Sequence, residues 1–502
     1  MKKNYIFSIL MVFISLNALS QTSPSHENYL PMGSKTTKWY EAYERWSPGT
    51  PLYSTDEEAS ENENFFISRV KPRERFTFTR TQVKESLNPA RKLLWWCPMG
   101  EGGWNAVPSY FFGGEVFSMW SYVDIYGNWT SPMIQAAGAF LDVCHKNGVA
   151  AGVVATIAYG ASPSYNDGGN GQMIATLYGK GDNSASDKLL KYFRYYGIDG
   201  LGWNSEFTWN NLDKNKFRNV IGDCYAKATA AGVPLFNNAW YSFTSNNGGI
   251  GDYSYLNNDC CDWFNYNGKT ISSAYFLNYN WRAGELSTSQ STASRFPGRS
   301  SFDVFGGMDY QGRSAADWGA LKNYNISFGL WGAHNMNMIY EYRGENGSSA
   351  KQLQKTYQLI SENSFTGSSY NPVNTPAITS LLSHSSATTN FHGFSSFITA
   401  RSTLTCDDLG TDPFVTYFNL GNGNFFNICG ETTFNNEWYN IGIQDYLPTW
   451  RWWWTSKYMG KSASDATKTL TAEFTWDDAW FGGSCLQISG GTTSDVYLQL
   501  FK

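Results

Sequence analysis

Basic charge is scarce in this chain of 502 residues: 37 Lys and Arg stand against 42 Asp and Glu, for a formal net charge of -5. That balance excludes the electropositive footprint that holds nucleic acid or an anionic membrane surface. Histidine is rarer still, with 5 in the chain, and no Cys-x-x-Cys pair or His/Cys cluster has zinc-site spacing. We therefore expect no metal and no cofactor. The 8 cysteines, at positions 97, 144, 224, 260, 261, 406, 429 and 485, are too few for a disulfide framework in a chain of this length. Cys97 and Cys144 sit in apolar segments and read as buried thiols. Long apolar runs are missing too, with one exception. Two lysines, an apolar run from Ile6 to Leu19 and small residues around Ala18 and Ser20 predict a signal peptide over 1–20, cleaved next to Gln21. No cysteine follows that run to carry a lipid, and no later segment reaches about 18 uninterrupted apolar residues. The expectation is an exported protein, periplasmic, cell-surface or extracellular, with no stable membrane insertion after cleavage.

Aromatic residues are abundant instead: 21 Trp, 32 Tyr and 33 Phe make up 17% of the chain. Aromatic faces along a groove are suited to sugar rings, and large cores use the same side chains, so composition leaves both readings open. The length calls for two domains. Residues 21–90, which include the acidic "STDEEASENENFF", read as an irregular leading segment. Eight strand-like runs follow, at 92–97, 117–125, 149–157, 198–206, 233–239, 274–280, 303–309 and 326–333. Helix-like segments fall at 133–147, 185–196, 211–231 and 315–323, and the first three end at Gly148, Gly197 and Gly232, as helix C-caps do. This alternation predicts an α/β fold, a (β/α)8 TIM barrel over 91–345. A helix and a Ser/Thr/Asn/Pro-rich linker over 346–390 then lead to short runs with turn signals over 391–502, which predict an all-β sandwich.

In such a barrel the C-terminal ends of the strands form the mouth where chemistry is done. The fourth run, "GIDGLGWNSE", ends on Asn204 and Glu206. Residues two apart on a strand project the same way, so both side chains point into the mouth. A purely structural pair, bonded to loop backbone at the rim, has the same spacing. Most glycosidases use two carboxylates, but a 2-acetamido sugar can attack its own anomeric carbon, which leaves one carboxylate and a residue to hold the amide. An Asn amide can donate to and accept from an acetamido group, and a Glu can act as acid and base.

The chain resembles glycoside hydrolase family 85, the endo-β-N-acetylglucosaminidases of N-glycans. The resemblance rests on "MGEGGW", "FSMWSYVD", "YYGIDGLGWNSE", "FLNYNW" and "DVFGGMDYQGR" in order, then "PFVTYFNLGNGNFF", "WYNIGIQDYLPTWRWWW" and "WDDAWFGGSCLQISG", across residues 90 to 490. It implies a retaining hydrolase that cuts the β-1,4 bond between the two core GlcNAc residues of N-linked glycans or glycoproteins, with an oxazoline intermediate. Asn204 would position the acetamido group, Glu206 would be the acid/base and Tyr241 would help hold the amide. Trp281 would stack on sugar, and Trp120, Asn280, Asp309 and Tyr340 would contact glycan. Trp96 and Trp203 read as barrel packing. Leu-Gly-Trp ahead of Asn204 departs from the family's Trp/Leu/Ile pattern, and the end at "VYLQLFK" predicts an incomplete sandwich with an exposed edge near 495–502. Two alternatives stay open: a chitinase-like or peptidoglycan-directed hexosaminidase, and a non-catalytic glycan-binding protein, against which the presence of both Asn204 and Glu206 argues.

Overall fold

The computed structural model describes residues 39–50, 63–76, 82–97, 116–129, 134–157, 159–165, 170–179, 183–309, 318–332, 350–367, 369–375, 393–403, 414–449, 451–455, 457–458, 461–462 and 469–502. Tyr340, the signal segment and most of the linker lie outside them. Eight strands close into a barrel: β1 (Leu93–Trp96), β2 (Ile125–Trp129), β3 (Ala150–Thr156), β4 (Gly200–Asn204), β5 (Asn237–Tyr241), β6 (Ala274–Phe276), β7 (Val304–Asp309) and β8 (Ser327–Trp331). Each pairs in parallel with its sequence neighbours, and β8 closes on β1 with Leu93 opposite Phe328. Among the described helices are α1 (Gly138–Lys146), α2 (Asn183–Tyr196), α3 (Lys214–Ala230), α4 (Ala283–Ala293) and α5 (Ala350–Thr366). Gly148, Gly197 and Gly232 after α1, α2 and α3 have φ of 65°, 82° and 63°, the left-handed cap the sequence predicts.

Two strands start later than expected, for local reasons. Pro234 has no N–H to give a ladder and Leu235 is left-handed at φ 61°, so β5 begins at Asn237. The run 117–125 is buried but mostly not strand: it approaches the barrel through a 3-10 turn, Trp120–Tyr122, and β2 starts only at Ile125. Its apolar residues pack in the outer layer, Phe117 against Trp95 and Tyr126, and burial without a ladder looks the same in sequence as burial within one.

Strand alternation sorts the core into two layers. One face of the strands packs outward on the helices, with Leu201, Trp203, Phe328 and Leu330 in that layer. The other fills the barrel with Leu94, Trp96, Ile125, Val154, Ala239, Phe276 and Phe305. Trp96 and Phe276 stack at 5.1 Å with 4° between planes. Trp96 and Trp203 are thus packing residues, as expected, and Cys97 and Cys144 are buried free thiols.

At the end of the barrel where the strands begin, a charged clasp joins three parts of the chain. Asp124 takes Arg75 from the leading segment and Arg401 from beyond the linker, and also accepts Leu93 N–H at 2.8 Å. The distal residues form small antiparallel sheets, among them Leu470–Thr475 with Cys485–Gly490 and Trp453–Thr455 with Tyr497–Gln499. Near the edge expected at 495–502, Tyr497–Gln499 is paired on one side, in a two-stranded sheet, and Phe501 packs on the core.

Candidate active site

The mouth is built from inward residues at or just beyond the ends of β2, β4, β5, β6, β7 and β8. On β4, Gly200, Gly202 and Asn204 face in while Leu201 and Trp203 face out, as the glycine contacts and the outer core show. Asn204 closes β4, and two residues on Glu206 points the same way: Asn204 Nδ2 donates to Glu206 Oε2 at 2.8 Å. The intervening Ser205 faces the other side, where its hydroxyl donates to Tyr241 O at 2.9 Å while Thr244 Oγ1 donates to Ser205 O at 2.8 Å. On the opposite flank Gly160 N donates to Glu206 O at 2.9 Å. These bonds fix the backbone on both sides of the pair, so its orientation is set by the fold. Asn204 is buried and Glu206 half-buried.

Tyr241 ends β5 beside them. Its ring packs on Phe243 (5.6 Å), Tyr279 (5.7 Å) and Phe276 (5.9 Å). Burial, and then the charge of Glu206, push its phenol well above the ordinary value, so it stays protonated and serves as a donor. Tyr279, whose ring packs on it, is raised in the same way, by burial first and then by Tyr241 and Asp309. Asp309, 1% exposed at the end of β7, acts on both phenols. Trp129 at the end of β2 and Trp331 at the end of β8 meet edge to face at 5.9 Å, and Trp331 continues to Tyr279 at 6.4 Å. The result is an aromatic wall on one side of the mouth and an amide, a carboxylate and a phenol on the other. Such an arrangement can seat an apolar sugar face while presenting a proton donor and amide-binding groups. Among the described residues, no group of three or more His, Cys, Asp or Glu side chains is placed to hold a metal ion.

The sequence profile described as Glycosyl hydrolase family 85 matches residues 112–426, which include this mouth. The chain belongs to this family. The crystal structure of the glycoside hydrolase domain of Endo-D from Streptococcus pneumoniae superposes with a TM-score of 0.69 at 22% identity, over 92% of this chain and 67% of that one, a likeness of fold. The catalytic domain of a family GH18 chitinase from the fern Peteris ryukyuensis, with a TM-score of 0.28 and 11% identity over 53% of this chain and 98% of that one, is too distant to carry an argument. No curated protein matches the sequence.

Of the residues expected to serve this family 85 hydrolase, Asn204, Glu206, Tyr241 and Asp309 are brought together. Asn280 is exposed in the turn after β6, one residue from Tyr279. Two others are placed elsewhere. Trp281 is 0% exposed, its indole N–H donates to Gly307 O at 2.8 Å, and its ring lies in the outer layer against Gly306. Trp120 precedes β2 on the far side of the barrel from the mouth, with its N–H bonded to Gln444 at 2.6 Å and its ring against Phe117. Neither offers a face to a sugar in the mouth, because both rings are buried in the core, with the N–H held by a backbone carbonyl in Trp281 and by the Gln444 side chain in Trp120. Tyr340 lies outside the described residues. Sequence reasoning missed Trp129, Trp331 and Tyr279. The first two carry a shared signal, since β2 and β8 both end in Gly-x-Trp, an inward glycine below an inward indole.

Proposed function

We propose that this family 85 glycoside hydrolase is an exported mannosyl-glycoprotein endo-β-N-acetylglucosaminidase, which cuts the β-1,4 bond of the GlcNAc-GlcNAc core of N-glycans with substrate assistance. The observation that carries the reading is the Asn204–Glu206 hydrogen bond in the mouth. An amide there, beside a carboxylate and a protonated phenol, suits a substrate that brings its own nucleophile.

In this reading Asn204 and Tyr241 hold the 2-acetamido group against the anomeric carbon. Its carbonyl oxygen bonds to that carbon as the glycosidic C–O bond breaks, and the leaving oxygen takes the proton of Glu206. Glu206, now ionised, removes a proton from water, whose oxygen bonds to the anomeric carbon of the oxazolinium from the opposite side as its ring C–O bond breaks and the amide re-forms with its N–H. Two inversions give net retention, and one GlcNAc stays on the protein's Asn.

The test is incubation with a high-mannose glycoprotein followed by mass spectrometry. A single residual GlcNAc on Asn is the expected product. Cleavage of chitin oligomers with no action on the glycoprotein would point to a chitinase-like hexosaminidase, and glycan binding without release to a lectin-like protein. N-terminal analysis of the secreted protein tests export, with a new terminus near Gln21 expected.

A further inference from the structure

The rim of the mouth carries a large side chain that neither the reaction nor the core accounts for. Tyr159, just beyond β3, is 71% exposed. The backbone that follows it is nevertheless held tightly. Gly160 N donates to Glu206 O at 2.9 Å, Thr208 N to Ala161 O at 3.0 Å, Asn211 Nδ2 to Ser162 Oγ at 3.1 Å and Asp213 N to Tyr165 Oη at 3.1 Å. These bonds stitch residues 160–165 to residues 206–213, starting at Glu206 itself. The Tyr159 ring meets Phe243 edge to face at 5.8 Å, and Phe243 in turn stacks on Tyr241 at 5.6 Å. Phe243 covers one side of the Tyr159 ring and leaves the rest of it open.

The position of this ring around the rim says which part of a substrate it meets. Trp129 and Trp331, at the ends of β2 and β8, flank β1, whereas Tyr159 and Phe243, beyond the ends of β3 and β5, flank β4, which leads to Glu206. The two aromatic pairs thus stand over different sectors of the barrel, with the carboxylate in the second. An acid that protonates a glycosidic oxygen stands next to the sugar that leaves on that oxygen. The sugar that keeps the anomeric carbon is drawn inward by its acetamido group, to Asn204 and Tyr241, which are both buried. An exposed ring beside Glu206 therefore lies where the leaving sugar departs, at a level where that sugar can stay attached to a protein outside the mouth. A GlcNAc ring presents a flat face of C–H groups, and an aromatic ring on a pinned backbone stacks on it with little ordering left to do.

We infer that Tyr159 is a specificity-determining residue of this site: its open face, backed by Phe243, stacks on the GlcNAc of the leaving side, and on the same sugar when that sugar is the acceptor. This rests on the roles of Asn204 and Glu206 given above and names a side chain for the half of the substrate that those roles leave unassigned. The ring makes the contact, and the hydroxyl has no part in it.

The experiment measures transfer from a preformed glycan oxazoline to a peptide carrying a single GlcNAc. The acceptor oxygen bonds to the anomeric carbon as the ring C–O bond of the oxazoline breaks; the hydroxyl proton passes to Glu206 and on to solvent, and the ring nitrogen takes a proton from water to become the amide N–H. Tyr159→Ala should raise the acceptor KM by about fivefold, the scale of one aromatic contact. Tyr159→Phe keeps the ring and should restore the acceptor KM to within about twofold of the parent's. Hydrolysis of the same oxazoline with no acceptor present uses water alone, and its rate in Tyr159→Ala should change by less than about twofold. KM does not depend on the folded fraction, so a loss of stability cannot imitate the effect. An unchanged acceptor KM in Tyr159→Ala, equal losses in the Ala and Phe variants, or a fall in acceptor-free hydrolysis as large as the rise in KM would each overturn the inference, the last because the ring would then serve only to hold Glu206. A parent protein that does not consume the oxazoline brings down the wider reading and this inference with it, whereas a parent that transfers no better than Tyr159→Ala brings down only the role of Tyr159.

Discussion

The indole of Trp96 and the ring of Phe276 lie parallel, 5.1 Å apart, at the centre of the barrel beneath Asn204 and Tyr241. They fit because neighbouring strands place glycine against them. A Cβ on Gly127 would come within 2.4 Å of Trp96, one on Gly202 within 3.2 Å of it, and one on Gly329 within 2.5 Å of Phe276. Gly202 is the middle residue of the Leu-Gly-Trp stretch ahead of Asn204, and the volume it gives up is occupied by Val154 and Trp96. Gly127→Val should therefore overpack the stack, with a cost of about 1 to 3 kcal/mol. Urea unfolding measures it, and an unchanged midpoint would mean that the stack yields freely.

Trp281→Ala should behave as a core truncation. The ring is fully buried and its N–H is satisfied by Gly307 O, so its removal leaves a cavity and should cost about 3 to 5 kcal/mol. Catalytic parameters of the fraction that remains folded should change little. A melting temperature equal to the parent's, with a raised KM for glycan, would instead put Trp281 in contact with substrate.

How much of this was legible beforehand differs by element. The barrel could be read because its strands alternate with helices that stop at glycines, and those glycines do adopt the left-handed cap. Asn204 and Glu206 could be read because they stand two apart at the polar end of a strand, whereas Tyr241 was legible only through the family resemblance, since the run that announces β5 stops at 239. Trp281 and Trp120 could not be told from stacking residues, since an indole is the right side chain for a sugar face and for a core alike. Only the burial of the ring and the partner of its N–H decide between them, since Trp120 sits in a 3-10 turn and Trp281 lies beyond the end of β6. The helix α4, "AGELSTSQSTA", was not foreseen: it has no apolar stripe, and Leu286 and Ala293 are among its few buried side chains. Trp129 was hidden because the second strand begins eight residues later than the apolar run that announces it.

The base of the barrel predicts a pH dependence of stability. His145 on α1 places Nδ1 at 2.7 Å from Val70 O and Nε2 at 2.9 Å from Asp199 Oδ2, while Asp199 Oδ2 also accepts Ala151 N–H at 2.7 Å. A carbonyl and a carboxylate can only accept, so both ring nitrogens carry protons. Burial lowers the His145 value, but the hydrogen bond and charge of Asp199 and the Val70 carbonyl outweigh it, and the net shift is upward. A raised value in the folded state contributes stability that is fully present below the unfolded value of about 6.5 and is lost as pH rises through the folded one. His145→Gln cannot carry the charge. Its deficit, about 3 kcal/mol where a buried pair is broken, should be largest near pH 6 and shrink as pH rises. Urea unfolding of both proteins from about pH 6 to about pH 9 checks this; a deficit that grows with pH would show that His145 is neutral in the fold.

The bond between Asn204 and Glu206 separates substrate assistance from a structural pair. If Asn204 only secures the rim, Asn204→Ala should lower stability and every activity together. If it orients the 2-acetamido group, the variant should lose the first step, in which that group attacks, by about 10²-fold or more. A preformed glycan oxazoline bypasses that step. Asn204→Ala should therefore still transfer the glycan from oxazoline to a GlcNAc acceptor, with Glu206 as base, and the product should accumulate because the variant cannot efficiently regenerate the oxazoline to hydrolyse it. Glu206→Gln lacks the group that protonates the leaving oxygen and deprotonates the acceptor, so it should be poor in both reactions, by about 10² to 10⁴-fold. Transfer yield followed over time for both variants, with circular dichroism as the check on folding, makes the comparison. Equal losses of transfer and hydrolysis in a folded Asn204→Ala protein would refute the role assigned to the amide and leave Glu206 to work with another partner in the mouth, where Asp309 is the carboxylate already in place.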